Sequence, residues 1–277
     1  MDVIAVPRLE REFVAVRGSD AEPYLQAMVS NDVEALSPGE SCDALLLTPK
    51  ARVIAPLTVW RRSADDFLLL TAPGLGERVR AALVRTRFAA KCEIELEEHA
   101  SALVVGAEAP AGTVANRDYG LPAYEILDGD PPADARLADL DELERLRILA
   151  RTPVWGREID ERILPAEAGL DVRAIDFAKG CYPGQEPIAR QHYRGRVNRS
   201  LRVLEIDGGD LPVYDVVILW EGKAAGRVTS AVRDGQHVLA LCYVRREVPD
   251  DAALEVDGRR ASQREETQLD LATPARP

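Results

Sequence analysis

The chain has 277 residues, of which 46% are hydrophobic and 30% charged, a composition typical of a folded globular protein with room for two or three modest domains. Its formal net charge of −12 argues against a general nucleic-acid binder. No stretch approaches the roughly 18 apolar residues of a membrane span, and the N-terminus lacks the basic flank and apolar run of a signal peptide. We therefore expect a cytoplasmic protein without a membrane partner.

Apolar periodicity predicts a mixed order of elements in the first 117 residues. The predicted elements are a strand at 13–16, a helix opened by Ser19 with Glu22 completing a capping box, strands at 44–47 and 53–60 around a turn at 48–52, a strand at 67–71, a helix with Leu75, Val79, Leu83 and Phe88 on its apolar side, and strands near 93–97 and 101–105. The mixed order of the later elements indicates an α+β unit from about residue 48 to residue 117.

In the second half of the chain, the pattern of apolar residues changes at Gly195. Before it, we predict a strand at 124–127 and a helix that starts at Asp139 and carries Leu140, Leu143, Leu146 and Leu149. After it, short apolar runs at 201–206, 215–220, 224–230, 237–243 and 252–256 are separated by Gly, Asp and Pro. These runs have no helical period and predict a small β-barrel or sandwich, followed by a loose tail from Thr267.

The cysteines and histidines are too scattered to form a recognisable metal site. More than forty residues separate each of the four cysteines from the next, so the sequence contains no CxxC pair and no zinc-ligand spacing. A structural disulfide is not expected in a reducing compartment. Cys42, Cys92 and Cys242 lie in apolar contexts and are predicted to be core residues, whereas Cys181 lies in a motif.

One stretch is positively charged, although the rest of the chain is negatively charged. Between residues 179 and 202 six basic side chains oppose the single acid Glu186, so the stretch is +5 in a chain that is −17 elsewhere. It is either a solvated basic face or a site for an anionic ligand or partner, and the charge alone leaves both open.

The motif at residues 179–186 reads Lys-Gly-Cys-Tyr-Pro-Gly-Gln-Glu. Gly184 and Pro187 predict a helix start, with the helix running to about Tyr193 and ending at Gly195. Cys181 then precedes the helix N-terminus, where unpaired backbone N–H groups, the positive end of the helix dipole and the nearby Lys179 favour a thiolate. The alternative is that Cys181 is a small buried hydrophobe and the glycines only form a turn.

These eight residues resemble the KGCYxGQE signature of the YgfZ-like family of folate-binding proteins, with Pro183 at the variable position. Other segments resemble the family in the same order: residues 24–26 and 30–33 its LQ…ND element, residues 48–52 its PKGR turn with Ala51 in place of glycine, and residues 228–230 a TS strand. The resemblance implies a protein that supports assembly or repair of iron–sulphur enzymes, including enzymes that thiolate tRNA.

The resemblance also implies roles for individual residues. Cys181 is the expected reactive thiol and Lys179 its electrostatic activator. The expected binding residues for tetrahydrofolate are Tyr182, Gly184, Gln185, Glu186, Arg190, Asn31 and Asp32. Arg190, together with Arg194 and Arg196, is expected to receive an anionic group such as the folate glutamate tail or a client surface. For Asn31 and Asp32, turn formation is the simpler alternative.

The wider superfamily includes the glycine-cleavage T-protein, an aminomethyltransferase. Residues 156–161 with 165–170 resemble its GxxIDE…PxEAGL stretch, and residues 124–126 resemble its GYEI element. This resemblance implies an α+β fold with three domains around a central hole that admits folate. The expected divisions are a split domain of residues 1–47 plus 118–196, an inserted domain of residues 48–117, and a C-terminal β-barrel of residues 197–277.

The chain departs from the T-protein pattern at two acids. Ala55 and Pro56 occupy the places of acids in a VIDDLIVY-like strand, and neither can accept a proton or stabilise a cation. Leu149 replaces the pterin-binding glutamate of an RLEAG-like segment, in which Arg151 replaces the glycine. Aminomethyl transfer is therefore not expected.

Two other functions remain open from the sequence. One is a folate-dependent aminomethyltransferase or one-carbon transferase, which would need a substitute acid near the folate. The other is a docking module without folate that uses the arginine-rich segment to bind a protein or RNA.

Overall fold

The structure is a computed structural model and describes residues 2–195 and 197–264, without the side chain of Arg194. Within this part of the chain the α-helices are α1 (Ala21–Met28), α2 (Gly76–Thr86), α3 (Leu140–Leu149) and α4 (Gln185–Arg194), and a short 3₁₀-helix covers Pro165–Ala168. The strands before α3 are β1 (Ile4–Val6), β2 (Glu12–Arg17), β3 (Ser41–Leu47), β4 (Val53–Ser63), β5 (Asp66–Thr71), β6 (Glu93–Glu97), β7 (Ser101–Val105), β8 (Val114–Asn116), β9 (Ala123–Leu127) and β10 (Arg136–Leu137). The strands after α4 are β11 (Arg199–Asp207), β12 (Val217–Trp220), β13 (Lys223–Asp234), β14 (His237–Arg245), β15 (Leu254–Val256) and β16 (Arg259–Gln263).

The strands form two open sheets and one closed barrel. The first sheet has the order β3-β4-β5-β2-β6, the second has the order β10-β1-β7-β9-β8, and the barrel has the order β11-β14-β13-β12-β15-β16. The predicted α+β class and C-terminal barrel are confirmed.

The first sheet has one face packed against helices, and its opposite face is buried along β2 and β5 but half-exposed along much of β4. Along β4 the buried side chains alternate with half-exposed ones, as expected for a strand between a core and a less protected face. Ala55, Leu57 and Val59 belong to the core cluster that also contains residues of α1 and α2. The opposite face of β4 carries Pro56 and Thr58, both half-exposed.

The sheets run across the predicted boundary at residue 48. β3 lies before this residue and β4 after it, yet the two strands pair from Ser41 opposite Trp60 to Leu47 opposite Val53. β2, near the N-terminus, pairs with both β5 and β6. The division into residues 1–47 plus 118–196 and residues 48–117 therefore stays a prediction. The barrel strands start at Arg199, within the predicted third domain.

Two local predictions about the helices are wrong. The N-cap of α1 is Asp20 and has no side-chain capping bond, because the Asp20 carboxylate accepts a hydrogen bond from the Lys91 N–H at 2.8 Å. Phe88 lies beyond the end of α2 with a φ of 45°, and 89% of it is exposed. The predicted loose tail lies outside the described residues.

Candidate functional site

The motif forms an irregular turn that leads into α4. Gly184 is the N-cap of this helix with a φ of 85°, and Gly195 is the C-cap, so both predicted ends are confirmed. Cys181 is exposed on the turn, three residues before the N-cap. Its predicted position just before the helix is therefore confirmed, and the alternative of a buried hydrophobe is not.

The other cysteines are less accessible than Cys181. Cys92 and Cys242 are buried, as predicted, and Cys42 is half-buried against the core of the first sheet. Burial raises the pKa of the Cys42 thiol to about 12, which disfavours its thiolate at neutral pH.

Lys179 is directed toward the main chain of the segment that follows α1. Its ammonium group donates hydrogen bonds to the carbonyl oxygens of Val29 at 2.7 Å and Asn31 at 2.6 Å, and it lies 5.6 Å from the centre of the Tyr182 ring. Burial lowers the pKa of Lys179 to about 8, against an opposing contribution from Asp32. These contacts anchor one side of the Cys181 turn. The activator role predicted for Lys179 stays a prediction.

Gly184 anchors the other side of the turn. A Cβ at this position would lie 2.6 Å from the Thr48 carbonyl oxygen and 3.1 Å from the Ala51 Cα, so only glycine allows this approach. Ala51 has a φ of 58°, a left-handed conformation that explains why the resembled turn carries glycine at this place. Two of the segments that resemble the YgfZ-like family, 48–52 and 179–186, are therefore in contact.

The remaining predicted binding residues of the motif divide between core and solvent. Tyr182 is 7% exposed and packs in a core cluster with Ile188, and burial raises the pKa of its hydroxyl to about 12. Gln185 is half-buried. Glu186 and Arg190 form an exposed ion pair at 3.1 Å. Arg196 and the side chain of Arg194 lie outside the described residues.

Asn31 and Asp32 lie next to Lys179 but have their own structural partners. The Asn31 amide donates to the carbonyl oxygens of Asp43 at 2.6 Å and Arg173 at 3.2 Å. The Asp32 carboxylate accepts from the Gln26 amide at 2.9 Å. These bonds stabilise the turn, as the simpler interpretation predicted, and their predicted role in folate binding stays a prediction.

A largely buried acid that the sequence did not reveal lies beside the positions of the lost T-protein acids. Asp43 on β3 lies opposite Thr58 on β4, and Leu45 lies opposite Pro56. Asp43 Oδ2 has no hydrogen-bond partner among the described residues, although Arg173 Nε lies 3.5 Å away. Burial raises the pKa of this carboxyl group. The only sequence signal was an acid in an otherwise apolar strand.

A chain of ion pairs extends from this acid into the second sheet. Arg173 pairs with Asp118 at 2.8 Å, and Arg11 contacts both Asp118 at 3.5 Å and Glu125 on β9 at 2.7 Å. Glu125 is buried and also accepts hydrogen bonds from Ser101 and Asn116. This network joins the two open sheets next to Asp43.

The positions that depart from the T-protein pattern take ordinary structural roles. Ala55 is fully buried, and Leu149 packs partly buried against a core cluster. Arg151 has a φ of 55°, which is the conformation that a glycine at this place would adopt readily. No acid at these positions is available for chemistry.

Neither a metal centre nor a membrane helix is found in the described ranges. No three His, Cys, Asp or Glu side chains come together there in a way that could hold a metal ion. None of the helices there has the length and apolar character needed to cross a membrane.

Comparison with known proteins identifies the fold. The chain superposes on the glycine cleavage system aminomethyltransferase T from Bartonella henselae with a TM-score of 0.78, covering 97% of this chain and 86% of that structure at 17% identity. It is also 25% identical to an aminomethyltransferase from Rippkaea orientalis, covering 84% of this chain and 75% of that relative. The chain therefore has the fold of this aminomethyltransferase. The predicted T-protein-like fold is thus confirmed.

The chain is also similar to a protein that is named for another function. It is 29% identical to an iron-sulfur cluster assembly factor IBA57 homolog, mitochondrial, from Pyricularia oryzae. The alignment covers 69% of this chain and 54% of the relative, so the chain spans about half of that protein. No protein-family model matches the chain.

Proposed function

We propose that this protein is a YgfZ-like factor that supports the assembly or repair of iron–sulphur enzymes, including tRNA-modifying ones, through the thiol of Cys181. The observation that carries the proposal is the exposure of Cys181 on a turn that is fixed on both sides. The similarity to an iron-sulfur cluster assembly factor supports the same class of function.

The turn is suited to present a thiol to a large partner. Lys179 binds it to the segment after α1, Gly184 packs against the 48–52 turn, and Tyr182 is buried between them. A fixed backbone holds the thiol outward without the entropic cost of ordering a mobile loop. The N-terminus of α4 begins shortly after Cys181, so the thiol lies on the turn that enters this helix.

Tetrahydrofolate is the cofactor of this proposal. Asp43 Oδ2 is a buried acceptor that has an ion pair with Arg173 but no hydrogen bond, and a ligand with N–H donors, such as the pterin of folate, would satisfy such a group. The exposed guanidinium of Arg190 suits a carboxylate of the glutamate tail. When bound, tetrahydrofolate can accept a one-carbon unit. Asp43 would hold the pterin, and Arg190 would hold the tail.

The thiol's role is tested by complementation in cells that lack the protein. We expect the wild-type chain to restore the activity of iron–sulphur enzymes and Cys181→Ala to fail. Cys42→Ala is the matched control, because it removes a half-buried thiol, and it should restore activity. Rescue by Cys181→Ala at normal protein level would contradict the proposal.

Aminomethyl transfer is the second candidate function, and Asp43 is the observation that favours it. This acid lies on the strand next to the one that lost its acids, as a substitute would need to. Incubation with tetrahydrofolate and an aminomethyl donor distinguishes the two functions. Our proposal predicts no methylenetetrahydrofolate. Its formation by the wild type and its loss in Asp43→Asn would assign the transferase function instead.

A further inference from the structure

A cleft between the barrel and the segment after α3 is lined by none of the residues of the 179–186 motif. Its floor is residues 228–231 of β13, one wall is Gly156 with Arg157, and the other wall is the loop that carries Leu211, Pro212 and Tyr214. Its volume is about 340 Å³, which lies in the range of small-molecule sites. The Tyr214 hydroxyl donates to the Arg157 carbonyl oxygen at 3.2 Å and joins the two walls.

The floor of this cleft carries one polar group, the Ser230 hydroxyl, which hydrogen bonds hold in place. The pairing of β13 with β14 shifts register between Val228 and Ser230, and such bulges redirect side chains. Thr229 donates to the Leu241 carbonyl oxygen at 2.8 Å, and Ser230 donates to Glu158 Oε1 at 2.7 Å. Glu158 is fully buried. The Ser230 hydroxyl is therefore held in one orientation at the floor.

Arg157 supplies a guanidinium group at the edge of a cluster in which it and Arg147 face Glu144 and Glu158. Its side chain is 54% exposed, and its Nη1 lies 2.9 Å from Glu144 Oε1 and 3.5 Å from Ser230 Oγ. Glu144 is already bound by two nitrogens of Arg147, at 2.8 and 2.7 Å. Within the described ranges, Nε and Nη2 of Arg157 have no hydrogen-bond partner. These two groups can bind a carboxylate side by side.

The rim opposite Arg157 is apolar and exposed. Eleven large hydrophobic residues are exposed in the described part of the chain, and four of them lie in the segment 211–217: Leu211, Val213, Tyr214 and Val217. Leu211 and Tyr214 line the cleft itself. Such a concentration of apolar surface marks a binding site more often than a solvated loop. The cleft thus offers an apolar wall and a guanidinium within one small volume.

We propose that this cleft binds a small carboxylate with an aryl or alkyl body. The carboxylate pairs with Nε and Nη2 of Arg157, and the apolar body lies against Leu211, Pro212 and Tyr214. This binding site is separate from the proposed role of Cys181 and does not depend on it.

The proposal is tested by ligand-observed NMR with 4-phenylbutyrate and its uncharged amide, 4-phenylbutyramide. We expect the acid to bind the wild-type chain at least about fivefold more tightly than the amide, because only the acid forms the charge-assisted pair. Arg157→Gln should abolish this preference while leaving weak binding of both compounds. Leu211→Ser should weaken both by a similar factor and keep the preference.

The control variant is Arg245→Gln, which removes an exposed arginine at the end of β14 that pairs with Glu247, and it should leave both affinities unchanged. Equal binding of the acid and the amide would overturn the proposal. So would a preference that persists in Arg157→Gln, or no binding of the acid at about 10 mM.

Discussion

The backbone of Gly184 lies directly against the carbonyl group of Thr48. A methyl group on Gly184 would approach the Thr48 oxygen to 2.6 Å, and the φ of 85° at Gly184 is itself unfavourable for any other residue. Two segments separated by more than 130 residues thus meet at the base of the Cys181 turn.

We expect Gly184→Ala to lower the free energy of unfolding by about 2–4 kcal/mol, since it combines backbone strain with a clash against main-chain atoms. Gly222→Ala is the matched control. Gly222 also has a positive φ, of 74°, but nothing lies within 4 Å of its added methyl group, so its cost should be about 1 kcal/mol. Urea unfolding of both variants measures the difference, and equal losses would contradict the close approach.

The buried ammonium group of Lys179 predicts a pH dependence of stability. Its pKa in the folded chain is about 8, against 10.5 in the unfolded chain. Between these values the unfolded state binds more protons, so stability rises as pH increases through this window. We expect the free energy of unfolding of the wild type, relative to Lys179→Met, to be larger at the upper end of the window than at the lower end. A constant or falling difference would show that Lys179 is not desolvated.

Asp43 predicts the opposite trend in the acid range. Burial raises its pKa above the ordinary value of 3.8, so the folded state binds more protons than the unfolded state as pH rises past that value. The stability of the wild type relative to Asp43→Asn should therefore be lower at about pH 7 than at about pH 4.

Asp118 provides the control for this measurement. Although burial acts to raise its pKa, the ion pairs with Arg173 and Arg11 lower it. The stability of the wild type relative to Asp118→Asn should therefore increase with pH mainly below the ordinary value of 3.8, and it should not fall between about pH 4 and pH 7. If both variants show the same trend, the environment assigned to Asp43 is wrong.

The parts of the site that sequence predicts are those that depend on local signals. Both ends of α4 could be predicted from Gly184, Pro187 and Gly195, because helix caps depend on a few adjacent residues. The sequence left both an activated thiol and a buried hydrophobe open for Cys181, and only the structure shows that Cys181 is exposed. The capping box at Ser19 failed because Asp20 bonds to Lys91, a partner distant in sequence.

The parts that sequence analysis missed depend on pairing between distant residues. β1, β8 and β10 have two or three residues each, and they are strands only because longer neighbours supply their hydrogen bonds. Asp43 gains its significance from its position opposite Thr58 and from its distance to Arg173. No period or motif in a single sequence carries that information.

The most direct test of this account is alkylation of the native protein with iodoacetamide, followed by mass spectrometry of each cysteine-containing peptide. We expect Cys181 to react first, Cys42 to follow slowly, and Cys92 and Cys242 to react only after denaturation, because their exposure decreases in that order. A Cys181 that stays unmodified in the native chain, yet reacts once the chain is unfolded, would contradict the central claim that its thiol is presented to a partner.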